Sequence, residues 1–199
     1  MDELTVLGER FAAAVRYASA LHREQRRKDT NIPYVAHLLC VASLVLDQGG
    51  DEDEAIAALL HDALEDQGDR TSEEEVRRRF GDKVARIVVA CSDFIGQGKK
   101  PDWQTRKERY LAHLEKQPAE VLRVSLADKL HNARSIVADL RISGDSVWDR
   151  FTGDPRQQAW YYSSILEIFR LRHDSPLVAE LGAVVTELVD RAQRAPART

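Results

Sequence analysis

AALLHDALEDQG, residues 57–68, combines an apolar helical pattern with a group of polar side chains on the opposite side. Its large apolar residues recur at helical spacing, as in a helix that packs against a core. Residues four apart share a helix face, which places His61 over Glu65 and Asp62 over Asp66. Small alanines precede these polar groups, so the polar side is also predicted to be buried. We therefore predict one continuous buried helix, capped by Asp51 and ended by Gly68.

A buried group of one histidine and three carboxylates repels itself unless a cation is present. Two further residues of suitable chemistry lie in apolar helical segments, His37 in PYVAHLL and Asp128 in SLADKLHNAR. Taken singly, HDALED is more often a solvated face and His37 a satisfied core histidine. Together, His37, His61, Asp62 and Asp128 form a mixed nitrogen and oxygen set that suits a divalent cation. The sequence therefore predicts a metal site made by these four residues.

The rest of the chain shows the same helical periodicity, without a useful length of alternating strand pattern. We predict an all-α, single-domain bundle over residues 1–194 and a disordered tail over residues 195–199. Polar connections are expected at residues 24–31 and at the Gly- and Lys-rich stretch 95–107. Five aromatic residues near the end of the chain are expected in the core, with an oligomer interface as the alternative: Trp148, Phe151, Trp160, Tyr161 and Tyr162. The further predicted helices cover residues 7–25, 34–47, 72–80, 82–92, 104–115, 119–142, 155–173 and 175–194.

Composition excludes several classes of protein. The 199 residues are 43% hydrophobic and 31% charged, which is typical of an ordered globular chain. The net charge of −4 disfavours nucleic-acid binding, and the longest apolar run is too short to cross a membrane. Cys40 and Cys91 lie in separate apolar stretches, so we predict two buried thiols in a reducing compartment. We expect a cytoplasmic protein that binds neither nucleic acid nor a membrane.

Hydrolysis is the chemistry that this residue set suits best. A bound divalent cation lowers the pKa of a water molecule and makes a nucleophile at neutral pH. Glu65 and Asp66 follow the predicted ligands by one turn, where a carboxylate can orient or deprotonate that water. Asn132 shares a helix face with Asp128 and could hydrogen-bond a substrate. A phosphorylated substrate also needs cations, and the candidates are Arg27, Lys28, Lys99, Lys100, Arg106, Lys107, Lys129 and Arg134.

The order His, His-Asp, Asp resembles the signature of the HD superfamily of metal-dependent phosphohydrolases. Longer motifs resemble the hydrolase domain of the RelA/SpoT-type alarmone enzymes, and more closely the stand-alone small alarmone hydrolases and the metazoan SpoT homologue. The resemblance spans about residues 11–169 and implies an HD-type helical bundle. The motifs that carry it are QRRKDTNIPYVAH (residues 25–37), LLHDALED (59–66), RRFGDKV (78–84) and LADKLHNARSI (126–136).

The resemblance implies Mn²⁺-dependent removal of the 3′-pyrophosphate from guanosine tetra- and pentaphosphate, which gives GDP or GTP and pyrophosphate. It also allows a functional pairing with an alarmone synthetase. It implies these roles for matching positions: Mn²⁺ ligands His37, His61, Asp62 and Asp128; catalytic acids Glu65 and Asp66; and substrate-binding residues Arg27, Lys28, Lys129, Asn132 and Ser135.

The chain departs from this family pattern at a few positions. Gln67 stands where threonine is common, and residues 29–32 read DTNI where a glycine is usual. The metal and acid positions are retained, so the departures bear on base recognition rather than on hydrolysis. Adenosine alarmones and NADPH remain alternative substrates. An HD nucleotidase for 5′-nucleotides and a non-catalytic sensing module are the alternative functions, and the oligomeric state stays open.

Overall fold

The computed structural model describes residues 5–95 and 100–196. Within these residues it consists of helices joined by turns, with one isolated bridge between Arg26 and Pro33 and no strand. The all-α prediction is confirmed. The helices are α1 (Glu9–Leu21), α2 (Val35–Asp47), α3 (Glu52–Leu60), α4 (Ala63–Asp66), α5 (Glu73–Phe80), α6 (Asp82–Cys91), α7 (Trp103–Leu114), α8 (Ala119–Ser143), a 3₁₀ helix (Gly144–Arg150), α9 (Pro155–Arg172) and α10 (Pro176–Arg194).

Local capping explains why the sequence located several helix starts. The Asp51 side chain accepts from the Glu54 backbone N–H at 3.0 Å, and the Glu54 carboxylate accepts from the Asp51 N–H at 2.7 Å. This reciprocal arrangement is a capping box, which satisfies donors that a helix start leaves without intrahelical partners. Asp154 makes the same arrangement with Gln157 at the start of α9.

The prediction of one continuous helix over residues 51–68 was wrong. α3 ends at Leu60, α4 begins at Ala63, and His61 and Asp62 form the junction. Asp62 has φ −98° and ψ −1°, in the sparsely allowed region between helix and strand conformations. Side chains of consecutive residues point about 100° apart on a regular helix. The break instead brings His61 Nε2 within 2.9 Å of Asp62 Oδ2.

The described residues divide into two compact units. The first lies within Met1–Lys99 and Gln117–Asp128, and the second lies within Lys100–Lys116 and Lys129–Thr199. The single domain over residues 1–194 stays a prediction. Of the predicted tail, residues 197–199 lie outside the described residues, as do residues 96–99 of the predicted loop 95–107.

Helix α3 forms the centre of the first unit. Helices α1, α2 and α6 pack against it, and α4 and α5 pack on α6. Every residue from Ala55 to Leu60 is fully buried, so the backbone that leads into His61 and Asp62 is held on all sides. Close packing of this kind restricts side-chain and backbone movement, which suits a segment that positions polar ligands.

In the second unit, α9 packs against both α10 and α7. The late aromatic residues contribute to this packing, because Trp148, Tyr161 and Tyr162 are all at most 5% exposed. Trp103 approaches Tyr161 at a ring-centroid distance of 6.0 Å in an edge-to-face arrangement. The core interpretation is therefore confirmed for these three predicted aromatic residues.

The two cysteines differ in their surroundings. Cys91 is buried as predicted, but Cys40 is exposed, so the prediction for Cys40 was wrong. Helix α2 directs Leu38 and Val41 inward, and the residues between them, Leu39 and Cys40, face outward. Among the described residues, no helix has the length and apolar character required to cross a bilayer.

Loss of the Arg123 guanidinium is expected to destabilise the first unit. The Glu54 carboxylate is buried, caps α3 and pairs with Arg123 on α8. Arg123→Ala would leave a buried carboxylate without this ion-pair partner. We expect the free energy of unfolding to fall by about 3 kcal/mol, the lower end for breaking a buried pair, because the Arg123 side chain is 21% exposed. Urea unfolding measures the change, with Arg86→Ala on the exposed face of α6 as the control. Equal losses in both variants would show that the pair contributes nothing specific.

Candidate metal and catalytic site

The four predicted metal ligands converge in the first unit. His37 comes from α2, His61 and Asp62 from the junction of α3 and α4, and Asp128 from α8. His37 Nε2 lies 3.2 Å from Asp128 Oδ1 and 3.6 Å from Asp62 Oδ2. His61 Nε2 lies 2.9 Å from Asp62 Oδ2 and 3.5 Å from Asp128 Oδ1. Residues distant in sequence thus present their nitrogen and oxygen atoms to one small volume, as metal ligands do.

Burial makes this cluster a poor place for uncompensated polar atoms. His37, His61 and Asp128 are buried, and one ligand atom from each lies within 4.8 Å of the others. The Asp62 side chain is 24% exposed, so one side of the cluster opens towards solvent. An enclosed set of ligands with one open side is the arrangement of a catalytic rather than a structural metal site.

The orientation of His61 fits a metal ligand. Its Nδ1 lies 2.8 Å from the Ala58 carbonyl oxygen, which can only accept a hydrogen bond, so Nδ1 carries the hydrogen. Its buried Nε2 makes no hydrogen bond of regular geometry among residues 5–95 and 100–196. In metal-binding histidines one ring nitrogen is commonly held by a carbonyl while the other faces the metal. The residues present therefore fit a divalent cation.

The charges around His61 point the same way. Burial lowers the pKa of His61, but the Asp62 and Asp128 carboxylates outweigh burial and raise that pKa well above its usual value. Burial alone would raise the pKa of Asp62, because burial disfavours the charged carboxylate. The neighbouring imidazoles nevertheless hold that pKa well below its usual value. The cluster therefore stabilises positive charge at its centre, which either protons on the imidazoles or a metal cation can supply.

Tyr34 supports the cluster and was not predicted as a site residue. Its hydroxyl donates to Asp62 Oδ2 at 2.6 Å. Burial and the charges of Asp62 and Asp66 raise the pKa of Tyr34, so the hydroxyl keeps its proton and remains a donor. Its ring also stacks on His22 at a centroid distance of 5.3 Å. The signal in the sequence was the Pro33-Tyr34 pair, in which Tyr34 precedes His37 by three residues.

Glu65 and Asp66 lie on α4, one turn beyond the junction, as the sequence predicted. Glu65 Oε2 accepts a hydrogen bond from the Asp93 backbone N–H at 3.1 Å, just after α6. Asp66 Oδ2 accepts from the Gln25 side-chain amide at 2.8 Å. Each acid is thus oriented by a group far away in the sequence, and neither Asp93 nor Gln25 was predicted.

Among the carboxyl groups of the site, Asp66 has a pKa that is shifted towards neutrality. Desolvation by surrounding groups, followed by the charges of Asp62 and Glu65, raises the pKa of its carboxyl to about 6. The residue is nonetheless exposed to solvent, so the predicted burial of the polar side was wrong for Asp66. A carboxyl with a pKa near neutrality can both accept and donate a proton at physiological pH.

Neutralising Asp66 is expected to stabilise the metal-free protein at pH 7. Because the pKa rises from 3.8 to about 6 on folding, this carboxyl makes the native state less stable as the pH increases through that interval. Asp66→Asn removes that cost, and after allowance for solvent screening we expect a gain of about 1 kcal/mol. Unfolding of chelator-treated protein measures it at pH 7, and the gain should shrink towards pH 4. The exposed Asp69→Asn is the matched control, and an equal gain there would contradict the explanation.

Arg27 and Lys28 lie on an ordered turn that leads from α1 to α2. The Tyr34 N–H donates to the Gln25 carbonyl at 3.0 Å, and the Arg27 N–H donates to the Ile32 carbonyl at 2.9 Å. Asp29, within the DTNI departure, has φ +55°, a left-handed conformation that aspartate tolerates better than most residues. The Arg27 guanidinium carbon is 5.8 Å from the Tyr34 ring centroid, so this turn is tied to a residue that contacts Asp62.

The remaining predicted substrate-binding residues belong to the second unit. Helix α8 continues past Asp128 and carries Lys129, Asn132 and Ser135. Lys129 Nζ lies 5.1 Å from the Tyr110 ring centroid, and the Ser135 hydroxyl donates to the His131 carbonyl at 2.9 Å. Their role in substrate binding stays a prediction.

Two of the other candidate cations have partners within the second unit. Arg134 donates to the Glu180 carboxylate at 2.8 Å, and Lys107 Nζ lies 4.9 Å from the Tyr161 ring centroid. A guanidinium in an ion pair already has an anionic partner, which favours a structural role for Arg134. Lys99 lies outside the described residues.

Comparison with known proteins extends these observations. A family model described as "HD domain" matches residues 14–153. The guanosine-3′,5′-bis(diphosphate) 3′-pyrophosphohydrolase of Aquifex aeolicus is 37% identical over 128 residues, which cover 64% of this chain but only 18% of that protein. The Drosophila melanogaster protein named guanosine-3′,5′-bis(diphosphate) 3′-pyrophosphohydrolase MESH1 is 34% identical over 142 residues, 70% of this chain and 74% of that protein.

Solved structures show the same likeness. One is described as "A metazoan ortholog of SpoT hydrolyzes ppGpp and plays a role in starvation responses". It matches with a TM-score of 0.73 and 28% identity, over 92% of this chain and 98% of that chain. A Listeria monocytogenes protein, lmo0812, matches with a TM-score of 0.67 and 28% identity, over 77% of this chain and 99% of that chain.

Proposed function

This chain belongs to the HD domain family, and we propose that within this family it hydrolyses alarmone nucleotides by removing their 3′-pyrophosphate. The observation that carries the proposal is the convergence of His37, His61, Asp62 and Asp128, with two carboxylates one turn beyond. The pyrophosphohydrolase named from Drosophila melanogaster supports it, because this chain covers most of that protein's length.

The proposed reaction adds water across the bond between the ribose 3′-oxygen and the adjacent phosphorus. A new bond forms between the water oxygen and that phosphorus, and the bond to the 3′-oxygen breaks. One proton is lost from the water and one is gained by the 3′-oxygen. The products are pyrophosphate and a nucleotide that keeps its 5′-phosphates, such as GDP or GTP.

The four clustered residues would hold the divalent cation, which when bound supplies Lewis-acid polarisation of water and phosphate oxygens. Glu65 is proposed to accept the proton of the attacking water, because it lies one turn beyond the proposed ligands and the Asp93 N–H orients its carboxylate. Asp66, which the Gln25 side-chain amide orients on the same short helix, is proposed to exchange a proton with the reacting groups.

The finer assignments belong to the same proposal. Mn²⁺ is proposed as the cation, because two imidazoles and two carboxylates suit a borderline or hard divalent ion. The substrate's negative charge is proposed to meet Arg27 and Lys28 on the turn, with Lys129, Asn132 and Ser135 on α8 as further contacts. A cytoplasmic setting and a functional pairing with an alarmone synthetase also stay proposals.

A panel of nucleotides tests the proposed activity. Purified protein with Mn²⁺ is given ppGpp, pppGpp, ppApp, NADPH and GTP separately, and pyrophosphate and phosphate are measured independently. We expect pyrophosphate from at least one alarmone, and the better guanine or adenine substrate defines the base preference. Phosphate from NADPH or GTP alone would contradict the proposal and favour a different HD phosphohydrolase. Binding without any product would favour a sensing module.

A further inference from the structure

Gln25 lies at the centre of a polar network beside Asp66. Its amide nitrogen Nε2 donates to Asp66 Oδ2 at 2.8 Å. Its amide oxygen Oε1 accepts from Gln67 Nε2 at 2.7 Å and lies 2.6 Å from His22 Nδ1. One glutamine side chain thereby joins a proposed catalytic acid to two groups from different segments of the first unit.

The contacts define the orientation of the Gln25 amide. A carboxylate can only accept hydrogen bonds, so the group that faces Asp66 must be the amide nitrogen. The amide oxygen then faces His22 and Gln67, both of which can donate. Reversing the amide would set oxygen against oxygen at Asp66 and nitrogen against nitrogen at Gln67. The network therefore permits one arrangement.

His22 strengthens this arrangement from within the core. It is only 2% exposed, and burial lowers the pKa of its imidazole, which favours the neutral ring. A neutral imidazole carries one N–H, and the position of Gln25 Oε1 requires that hydrogen on Nδ1. The ring also stacks on Tyr34, whose hydroxyl contacts Asp62. The network thus rests on residues that already border the metal cluster.

Further hydrogen bonds hold the chain segments that carry this network. The Gln25 N–H donates to the His22 carbonyl at 3.1 Å, and its carbonyl accepts from the Tyr34 N–H at 3.0 Å. Arg70, one turn beyond Gln67, donates through Nη2 to the Ala20 carbonyl at 3.1 Å. These bonds connect the end of α1 with the segment that follows α4, so Gln25 and Asp66 are held in fixed register.

We propose that Gln25 is a positioning residue that fixes the Asp66 carboxylate for the hydrolytic reaction, with Gln67 and His22 holding its amide. It binds Asp66 Oδ2 and leaves Oδ1 for the reacting groups. An exposed carboxylate would otherwise rotate among several orientations, and ordering it in advance lowers the barrier to proton transfer. This inference rests on the proposed function, in which Asp66 exchanges protons with the reacting groups.

A double-mutant cycle distinguishes positioning from a general structural role. Gln25→Leu should lower kcat for the alarmone about 10- to 100-fold, the range typical of residues that orient a ligand or catalytic group, with KM and Mn²⁺ affinity unchanged. In the Asp66→Asn background the same change should have no further effect on kcat, because the residue through which Gln25 acts is already disabled. Gln48→Leu, at the end of α2, is the matched control and should leave kcat unchanged.

The opposite results would overturn the inference. Multiplicative losses in the double variant would mean that Gln25 acts independently of Asp66. A loss of Mn²⁺ affinity, or of unfolding free energy in proportion to the loss of turnover, would mean that Gln25 only braces the fold. An unchanged kcat in Gln25→Leu, with kcat lowered in Asp66→Asn, would exclude positioning while leaving the proposed function intact.

A second readout does not require turnover. NMR of the full chain with diamagnetic Mg²⁺ should show one Gln25 side-chain amide proton shifted downfield and protected from exchange. Asp66→Ala should abolish that shift, whereas the exposed Asp69→Ala should not. If the Gln25 side-chain amide protons of the parent protein have the chemical shifts of a free glutamine, the proposed network is wrong. If the downfield amide proton is present but the protein does not hydrolyse alarmones, the network is correct and the proposed function is wrong.

Discussion

Asp128→Ala is expected to abolish both metal binding and alarmone hydrolysis. Asp128 is buried and its Oδ1 lies 3.2 Å from His37 Nε2 and 3.5 Å from His61 Nε2, so its removal takes a carboxylate from the centre of the cluster. Two imidazoles and one carboxylate would remain to hold the cation. We expect kcat/KM to fall on the order of a thousandfold or more, equivalent to about 4 kcal/mol of transition-state stabilisation.

Isothermal titration with Mn²⁺ and pyrophosphate release, measured on the same preparation, test this expectation. Asp139→Ala is the matched control, because Asp139 lies on the same helix and pairs with Arg150 at 2.7 Å. The control should retain Mn²⁺ affinity and turnover within a factor of about two, as expected for loss of a partly exposed ion pair. Normal Mn²⁺ affinity in a folded Asp128→Ala protein would remove Asp128 from the ligand set.

Glu65→Gln is expected to separate metal binding from turnover. Glutamine preserves the size of the side chain and an oxygen that can accept the Asp93 N–H, so the fold and the cluster should persist. It cannot accept the water proton. Loss of a positioned general base commonly costs about 10²- to 10⁴-fold in rate, and we expect kcat to fall within that range.

The measurement for Glu65→Gln is steady-state turnover at saturating Mn²⁺, together with the metal content of the purified protein. Glu74→Gln on the exposed face of α5 is the control and should match the parent protein. Full activity in Glu65→Gln would show that another group handles the water. Loss of metal together with activity would mean that Glu65 is a ligand rather than an outer acid.

The identity of the clustered residues could be predicted from the sequence because polar groups in apolar helices require an explanation. His37 and Asp128 are buried beside fully buried apolar neighbours, Leu38 and Ala127. The structure brings both residues together with His61 and Asp62. Some helix starts could also be predicted from the sequence. An aspartate followed three residues later by a glutamate or glutamine is a local signal for a capping box.

The details that orient the site could not be predicted, because they depend on contacts between distant segments. Tyr34 reaches Asp62 across 28 positions, Asp93 reaches Glu65 across 28, and Gln25 reaches Asp66 across 41. Spacing rules within one helix say nothing about such pairs. The same reasoning produced the error at residues 51–68, where a regular helix was assumed through His61.

Gln67 illustrates how a sequence departure acquires a physical meaning. In the sequence it was a departure from the family pattern, which was interpreted as bearing on base recognition rather than on hydrolysis. In the structure its amide nitrogen donates to the Gln25 oxygen at 2.7 Å, which makes it part of the network beside Asp66. Its position next to Asp66 in the chain gave no indication of that contact, which depends on the turn after α4 meeting the end of α1.

Pyrophosphate release from the better of the guanine and adenine alarmones, measured before and after Mn²⁺ is returned to chelator-treated protein, tests the central claim most directly. We predict no release from the metal-free protein and recovery of turnover that saturates near one Mn²⁺ per chain, because the four proposed ligands, His37, His61, Asp62 and Asp128, converge on one small volume. Equal release with and without metal would contradict the account. Stoichiometric binding of Mn²⁺ without pyrophosphate release would contradict it equally.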